Sequence, residues 1–363
     1  MITVLLCTYN GAAYVRAQLQ SILDQTVQDL HVVVSDDGST DETPAIVEAM
    51  AAENPGRITI LRQDPPTGSA ERHFLKLLVE RAYDVPGSTA TTAVDTDSAQ
   101  RDINDVTSAP GQRSADEALV RADYIMLSDQ DDVWLPDKVE KTLARMQADE
   151  AACRAAGEAH ASILVHCDSR IVDRALREIA PSFVAYQKMT PSRCQLQQLL
   201  VQNNVVGGAI MMNRALAERI TEIPAHCVMH DQWIALVASA FGHIDFVPES
   251  LYLYRQHGDN VLGAGKGSRI MEILGRFGIG RKDGKTKAEM DAHSQSVYRE
   301  MFLQAESFRR CFDAELSTKQ KHLLDEFTAI PKRSRLGKIC TILRYGFTYN
   351  LFHRTVGECL FIQ

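Results

Sequence analysis

Two runs of carboxylates stand out for the chemistry they could do together. Asp36 and Asp37 lead into Gly38-Ser39, and Asp129, Asp131 and Asp132 crowd the run Asp129-Gln130-Asp131-Asp132. Three carboxylates so close repel one another unless a cation or a hydrogen-bond network compensates them. Hard divalent cations take oxygen ligands, and Mg2+ is usually held by one or two carboxylates together with substrate phosphates. The chemistry that suits such a run is the binding of a metal-bridged diphosphate. A solvated turn whose acids cap the next helix would use the same residues, and Asp-x-Asp alone is a common pattern. Position favours the first reading. Each run directly follows a short apolar segment, 31–35 (HVVVS) for one and 124–127 (YIML) for the other.

The elements that must hold these runs follow from the hydrophobic pattern. Residues 2–7 (ITVLLC) form a short apolar, β-branched run, the signature of a buried strand. In 14–23, Tyr14, Leu19, Ile22 and Leu23 fall near one helical face. Residues 31–35 read as a second strand. Ser39 and Thr40 ahead of Asp41 and Glu42 predict a helix start, with the helix running to about 52. A strand at 57–61, a helix at 70–83, a strand at 124–127, a helix at 137–152 and a strand at 162–166 continue the alternation. Strands at 208–212 and 244–247 flank a helix at 231–241. Alternating strands and helices imply a mostly parallel sheet with helices on its faces. Ligands of such sheets bind at the carboxyl ends of the strands, so both acidic runs point to one site.

Two stretches break the pattern. Residues 84–119 are rich in Ser, Thr, Ala, Asp and Gly and poor in large apolar residues, which predicts a disordered insertion, with a functional lid as the alternative. Residues 263–287 are rich in Gly, Lys and Arg and read as a linker. Helices follow at 288–312 and 318–327. From 331 to 363 the cations Lys332, Arg333, Arg335, Lys338, Arg344 and Arg354 face one acid, Glu358, and aromatic residues are interleaved. Two readings of this tail stand side by side: a basic amphipathic helix at a membrane surface, or a C-terminal helix packed on the core. The organisation expected is a domain over 1–262, a linker over 263–287 and a helical region over 288–363.

The chain has 363 residues, of which 45% are hydrophobic and 24% charged, enough to bury a sizeable core. Lys plus Arg total 39 against 47 for Asp plus Glu, a formal charge of -8 that disfavours a general nucleic-acid binder. The eight cysteines include no CxxC pair, so a zinc ribbon is not expected and small core residues in a reducing compartment are. The N-terminus lacks the pattern of a signal peptide, and no apolar run approaches the ~20 residues of a spanning helix. The expected location is the cytoplasm, at the inner face of the plasma membrane if the basic tail docks there.

Read together, the motifs resemble a known family. Thr8-Tyr9-Asn10-Gly11 after the first strand, SDDGSTDET at 35–43, SDQDDVWLPDK at 128–138 and MHDQW at 229–233 are similar to glycosyltransferase family 2. DQDDVW and RQHGDN at 255–260 most resemble the bacterial rhamnosyltransferase-type members that build cell-surface polysaccharides. The resemblance covers about 1–262 without the insertion and implies the GT-A fold, a Rossmann-like mixed sheet with helices on both faces. It implies that Thr8, Tyr9, Asn10, Asp36 and Asp37 line the nucleobase pocket, more loosely flanked by Arg72 or His73. Asp129 is implied near the ribose and Asp131 as a cation ligand, with Asp132 supporting it and His257 completing the metal site. Asp231 falls at the family's catalytic carboxylate, although His230 stands where a Glu often precedes it. Gly207 and Gly208 match the segment between sugar and acceptor, where a missing side chain lets backbone approach the ligand.

The activity implied is metal-dependent, inverting sugar transfer. A Mg2+ or Mn2+ ion would neutralise the departing diphosphate, and Asp231 would take the acceptor's proton. The expected donor is a uridine or deoxythymidine diphosphate sugar, with rhamnose the first candidate. The expected acceptor is a surface glycan or a lipid-linked precursor. Trp134 and Trp233 are candidates for the sugar or acceptor site, with core packing as their alternative. Lys138 is weighed between phosphate contact and an ordinary helix surface. His166 and Asp168 are candidates for the acceptor side, and His243, His293 and His322 are read as structural. A nucleotidyltransferase remains as an alternative but lacks a Gly-rich basic loop near the N-terminus. An inactive sugar-nucleotide-binding member is disfavoured by the intact Asp131, Asp231 and His257. A Rossmann dehydrogenase is disfavoured because no GxGxxG follows the first strand.

Overall fold

Strand β1 (Ile2–Thr8) is buried along its whole length, as a parallel strand covered on both faces must be. Its side chains alternate: Val4 and Leu6 enter one core, Leu5 and Cys7 the other. The computed structural model describes residues 1–86, 119–256, 287–351 and 354–356. On one side of β1 lie β2 (Leu30–Asp36) and then β3 (Ile58–Arg62), both parallel. Helices α1 (Val15–Leu23) and α2 (Thr43–Glu53) make the crossovers, and α3 (Ala70–Val79) leads out of β3. Val85 of β4 (Val85–Pro86) pairs with Val120 of β5 (Leu119–Val120). The two ends of the insertion expected over 84–119 are thus ordered, with Asp84 paired to Arg214, and 87–118 lie outside the described residues.

On the other side of β1 is β6 (Tyr124–Ser128), also parallel. Then come β7 (Val133–Trp134), α4 (Lys138–Ala155), β8 (Ser162–Val172), β9 (Glu178–Ala180), α5 (Phe183–Gln187) and α6 (Leu196–Leu199). They are followed by β10 (Met211–Asn213), α7 (Arg214–Ala217), α8 (His230–Phe241) and β11 (Gly242–Arg255). Among the described residues the main sheet has nine strands in the order β3-β2-β1-β6-β10-β8-β11-β7, with β9 on β8. β10 is antiparallel to both β6 and β8, which makes the sheet mixed. The expected α/β class, a mixed sheet with helices on both faces, is the fold observed. α1, α2 and α4 cover one face. α3, α6, α7 and α8 cover the other.

The last helices, α9 (Lys287–Cys311), α10 (Thr318–Thr328) and α11 (Arg335–Tyr345), add Phe308, Phe327 and Ile342 to that second core. No helix among the described residues is long and apolar enough to cross a membrane. The sequence pattern misjudges some element ends. β8 and β11 extend well past their apolar cores because buried polar residues such as Asp168 and Ser169 continue the strand. α2 begins later than the Ser39-Thr40 signature implies. Ser39 turns back to Asp36, and Asp41 instead accepts the Thr43 N–H at 2.9 Å.

Candidate active site

Strand register assembles the site. Thr8 pairs with Asp36 and Leu6 with Ser128, so β1, β2 and β6 end at one edge of the sheet. The Thr8 hydroxyl donates to Asp36 Oδ1 at 2.8 Å, and the Ser39 N–H donates to Oδ2 at 2.8 Å. Asp37 accepts the Thr67 N–H at 2.6 Å, the Thr67 hydroxyl at 2.9 Å and the Gly68 N–H at 3.0 Å. These carboxylates fasten the loops after β2 and β3 into one wall. Asn10, at φ 47, takes a left-handed conformation that asparagine tolerates. Its side-chain oxygen accepts the Thr40 N–H at 2.9 Å. Tyr9 stands out from this wall, 58% exposed. The five residues implied at the base pocket are thus gathered in one loop cluster. His73 is buried below it, its Nε2 2.8 Å from the Ser35 hydroxyl, whereas Arg72 is exposed.

β10 runs antiparallel to β6, so the turn before it lies at the carboxyl end of β6. That turn is Gly207–Ala209, and its two glycines let side chains of the site approach the backbone closely. A Cβ on Gly208 would meet Asp132 Oδ2 at 2.9 Å and Asp129 Oδ2 at 3.4 Å. A Cβ on Gly207 would lie 2.7 Å from His230 Nε2 and 3.8 Å from Asp231 Cβ. Asp231 sits in the first turn of α8, where the helix dipole favours an anion. It accepts the Gln232 N–H at 2.6 Å, and the Gly207 N–H also supports its charge. Burial nevertheless raises its pKa to about 6. Burial, and then the charges of Asp131 and Asp231, raise Asp129 to about 7. Asp129, Asp132 and Asp231 are therefore drawn around one glycine turn, from segments distant in the chain.

Three further residues hold this arrangement, and sequence reasoning assigned none of them that task. Gln130 accepts the Tyr9 N–H and donates to the Tyr9 carbonyl, both at 2.9 Å, and so ties the DQDD turn to the end of β1. Lys138 is neither on the surface nor open to phosphate. It is fully buried, donates to the Gly208 carbonyl at 2.5 Å, and its ammonium lies 3.6 Å from the Trp134 ring centroid. Burial lowers its pKa to about 8, against the upward pull of Asp132 and Asp129. Arg255, at the end of β11, donates its N–H to Asp132 Oδ1 at 3.3 Å and its Nε–H to the Asp131 carbonyl at 2.8 Å. All three lie in or beside the quoted motifs. Only their spacing from the acids hinted at a role.

The donor set at the DQDD turn suits a hard cation. Asp132 Oδ2 is buried with no hydrogen-bond partner, and burial together with Asp131 and Asp129 raises the Asp132 pKa well above the usual range. A positive charge there would relieve both conditions. His257 lies outside the described residues. Among the described residues, the three ligand-type side chains whose donor atoms all lie within 4.8 Å of one another are Asp149, His243 and Asp245. His243, read as structural, has its Nε2 3.9 Å from Asp245. The group sits at the start of β11, at the far end of the sheet from DQDD, and the Arg145 guanidinium already bridges both of its carboxylates.

Several expectations are corrected. Trp233 does not face an acceptor: it is 1% exposed and packs edge-on against Phe308 at 5.5 Å between ring centroids. Trp134 is buried beneath Lys138, so core packing prevails there too. His166 is buried against Phe246, and burial lowers its pKa to about 3. Asp168 accepts the Val184 N–H at 3.1 Å and the Ser182 hydroxyl, fixing the start of α5. His230, 4.3 Å from Phe74 between ring centroids, is kept neutral by burial, its pKa lowered to about 3.

Comparison with known proteins bears on what this edge does. Residues 3–71 match the sequence profile described as Glycosyl transferase family 2. The dTDP-rhamnosyl transferase RfbG of Shigella flexneri is 28% identical over 148 residues, 41% of this chain and 39% of that protein. The chondroitin synthase of Escherichia coli is 32% identical over 77 residues, 21% of this chain and 11% of that protein. The chain thus spans well under half the length of these curated relatives. In fold it is similar to TarS 1-349 of S. aureus, solved in complex with UDP-GlcNAc. That likeness has a TM-score of 0.53 at 14% identity and covers 100% of this chain and 76% of that one.

Proposed function

We propose that this chain, a glycosyltransferase of family 2 built on the GT-A fold, moves a sugar from a nucleoside diphosphate donor to a hydroxyl group with inversion at the anomeric carbon. The observation that carries this reading is the Gly207–Gly208 turn. One glycine abuts Asp129 and Asp132, and the other abuts Asp231. The donor's base would rest on the wall built by Thr8, Tyr9, Asn10, Asp36 and Asp37. Its ribose would lie beside Asp129. Asp131, with His257, would hold a Mg2+ or Mn2+ ion that neutralises the charge growing on the diphosphate. The acceptor oxygen bonds to the anomeric carbon as the bond to the diphosphate oxygen breaks, and the acceptor's proton passes to Asp231. A carboxylate with a pKa of about 6 is a better base than an ordinary aspartate and stays ionised at neutral pH.

Rhamnose on deoxythymidine diphosphate is the first donor to test, because the Shigella relative is named for it. The acceptor is taken to be a cell-surface glycan or its lipid-linked precursor, met at the inner face of the plasma membrane. The test is nucleotide release from a panel of sugar nucleotides with Mg2+ or Mn2+. One donor should be turned over, activity should vanish with a chelator and return with either ion, and Asp231→Asn should abolish turnover while retaining nucleotide binding. Wild-type turnover by Asp231→Asn removes the base assignment. No release from any donor removes the transferase reading.

A further inference from the structure

We infer that the outward face of α11 is a docking surface for an anionic lipid bilayer. The inward face of this helix is settled: Lys338, Thr341 and Ile342 are buried, and Phe347 just beyond it joins the core. Leu336 and Leu343 are 76% and 61% exposed, and they lie two turns apart on the same side of the helix. Ile339 and the exposed Cys340 fall between them at helical spacing, extending the apolar stripe. Arg335 and Arg344, both exposed, flank the stripe on its two edges, and exposed Lys332 precedes the helix. From 331 to 357 the sequence holds no acid, in a chain whose formal charge is -8.

Charge decides the occupant. An apolar stripe with cations along both borders matches acyl chains beneath anionic headgroups, with the long arginine stems reaching up to the phosphates. A second copy of the chain would bring the same cations face to face. Because the core holds the inward face, the helix is presented already folded, and docking need not order it. This takes up the membrane contact of the proposed function and assigns its surface. The measurement needs no turnover, so its failure leaves the transfer reading untouched.

The experiment is co-sedimentation of the full chain with phosphatidylcholine vesicles, with and without phosphatidylglycerol. The protein should pellet with the anionic vesicles, and less so as salt is raised. The Leu336→Glu/Leu343→Glu pair should abolish pelleting with unchanged thermal melting, since both side chains point outward. Arg335→Gln/Arg344→Gln should weaken vesicle affinity about tenfold or more. The inference is overturned if the wild-type chain stays in solution with anionic vesicles, or if both paired variants pellet as it does. It is equally overturned if the wild-type chain is a dimer that the leucine pair dissociates, because a second copy then covers the face.

Discussion

Alanine at position 208 is predicted to lower turnover far more than stability. The added methyl would push on the carboxylates of Asp132 and Asp129, which can swing aside, but only by leaving the positions the site needs. A crowded substitution of this kind typically costs about 1–3 kcal/mol. Urea melting of Gly208→Ala should show a loss in that range, while kcat falls by ~100-fold or more, as displacement of a catalytic group by about 1 Å can do. A second prediction concerns pH. Burial raises the Asp231 pKa to about 6, and only the ionised form can accept the acceptor's proton. The value of kcat/KM should therefore fall by about tenfold or more per unit below that pKa. A profile flat down to pH 5 would rule out Asp231 as the base.

At the scale of elements, the DQDD turn depends on its neighbours. Gln130 joins it to the end of β1, Lys138 joins α4 to the glycine turn, and Arg255 joins it to the end of β11. Each link crosses between elements far apart in sequence, so each converts strand register into the relative placement of two loops. Gln130→Ala removes both bonds to Tyr9 and should cost about 1–2 kcal/mol of stability. Because Tyr9 and Asp129 lie on either side of that link, donor KM should rise several-fold with kcat less affected. Steady-state kinetics with saturating acceptor would show this, and an unchanged KM would mean that the link carries no donor binding.

At the scale of the whole molecule, α9 to α11 share a core with α8, the helix that carries Asp231. Phe308 of α9, fully buried against Trp233, is the contact to test. Phe308→Ala should cost about 3–5 kcal/mol, read by urea denaturation. A single unfolding transition in the wild-type chain would show that the helices fold with the sheet. The Trp233 correction has the same origin: a large aromatic two residues past a site acid is drawn to whichever core is nearest, and the α9 partner is remote in sequence.

What the sequence by itself determined is the alternation of the longer strands and helices, the α/β class and the two acidic runs, while short elements such as β7, β9 and α5 to α7 went unread. Apolar periodicity and the chemistry of crowded carboxylates are local properties, readable within a window of residues. What only the tertiary structure decided is which of those residues meet. Gly207 and Gly208 reach Asp129 and Asp132 because β10 runs antiparallel beside β6. Lys138 is buried because the Tyr252 ring and the Gly208 carbonyl, both from other segments, close over it. Asp37, read as a ligand contact, also anchors the loop at Thr67 and Gly68. Such outcomes depend on register between distant strands, and no local pattern encodes that register.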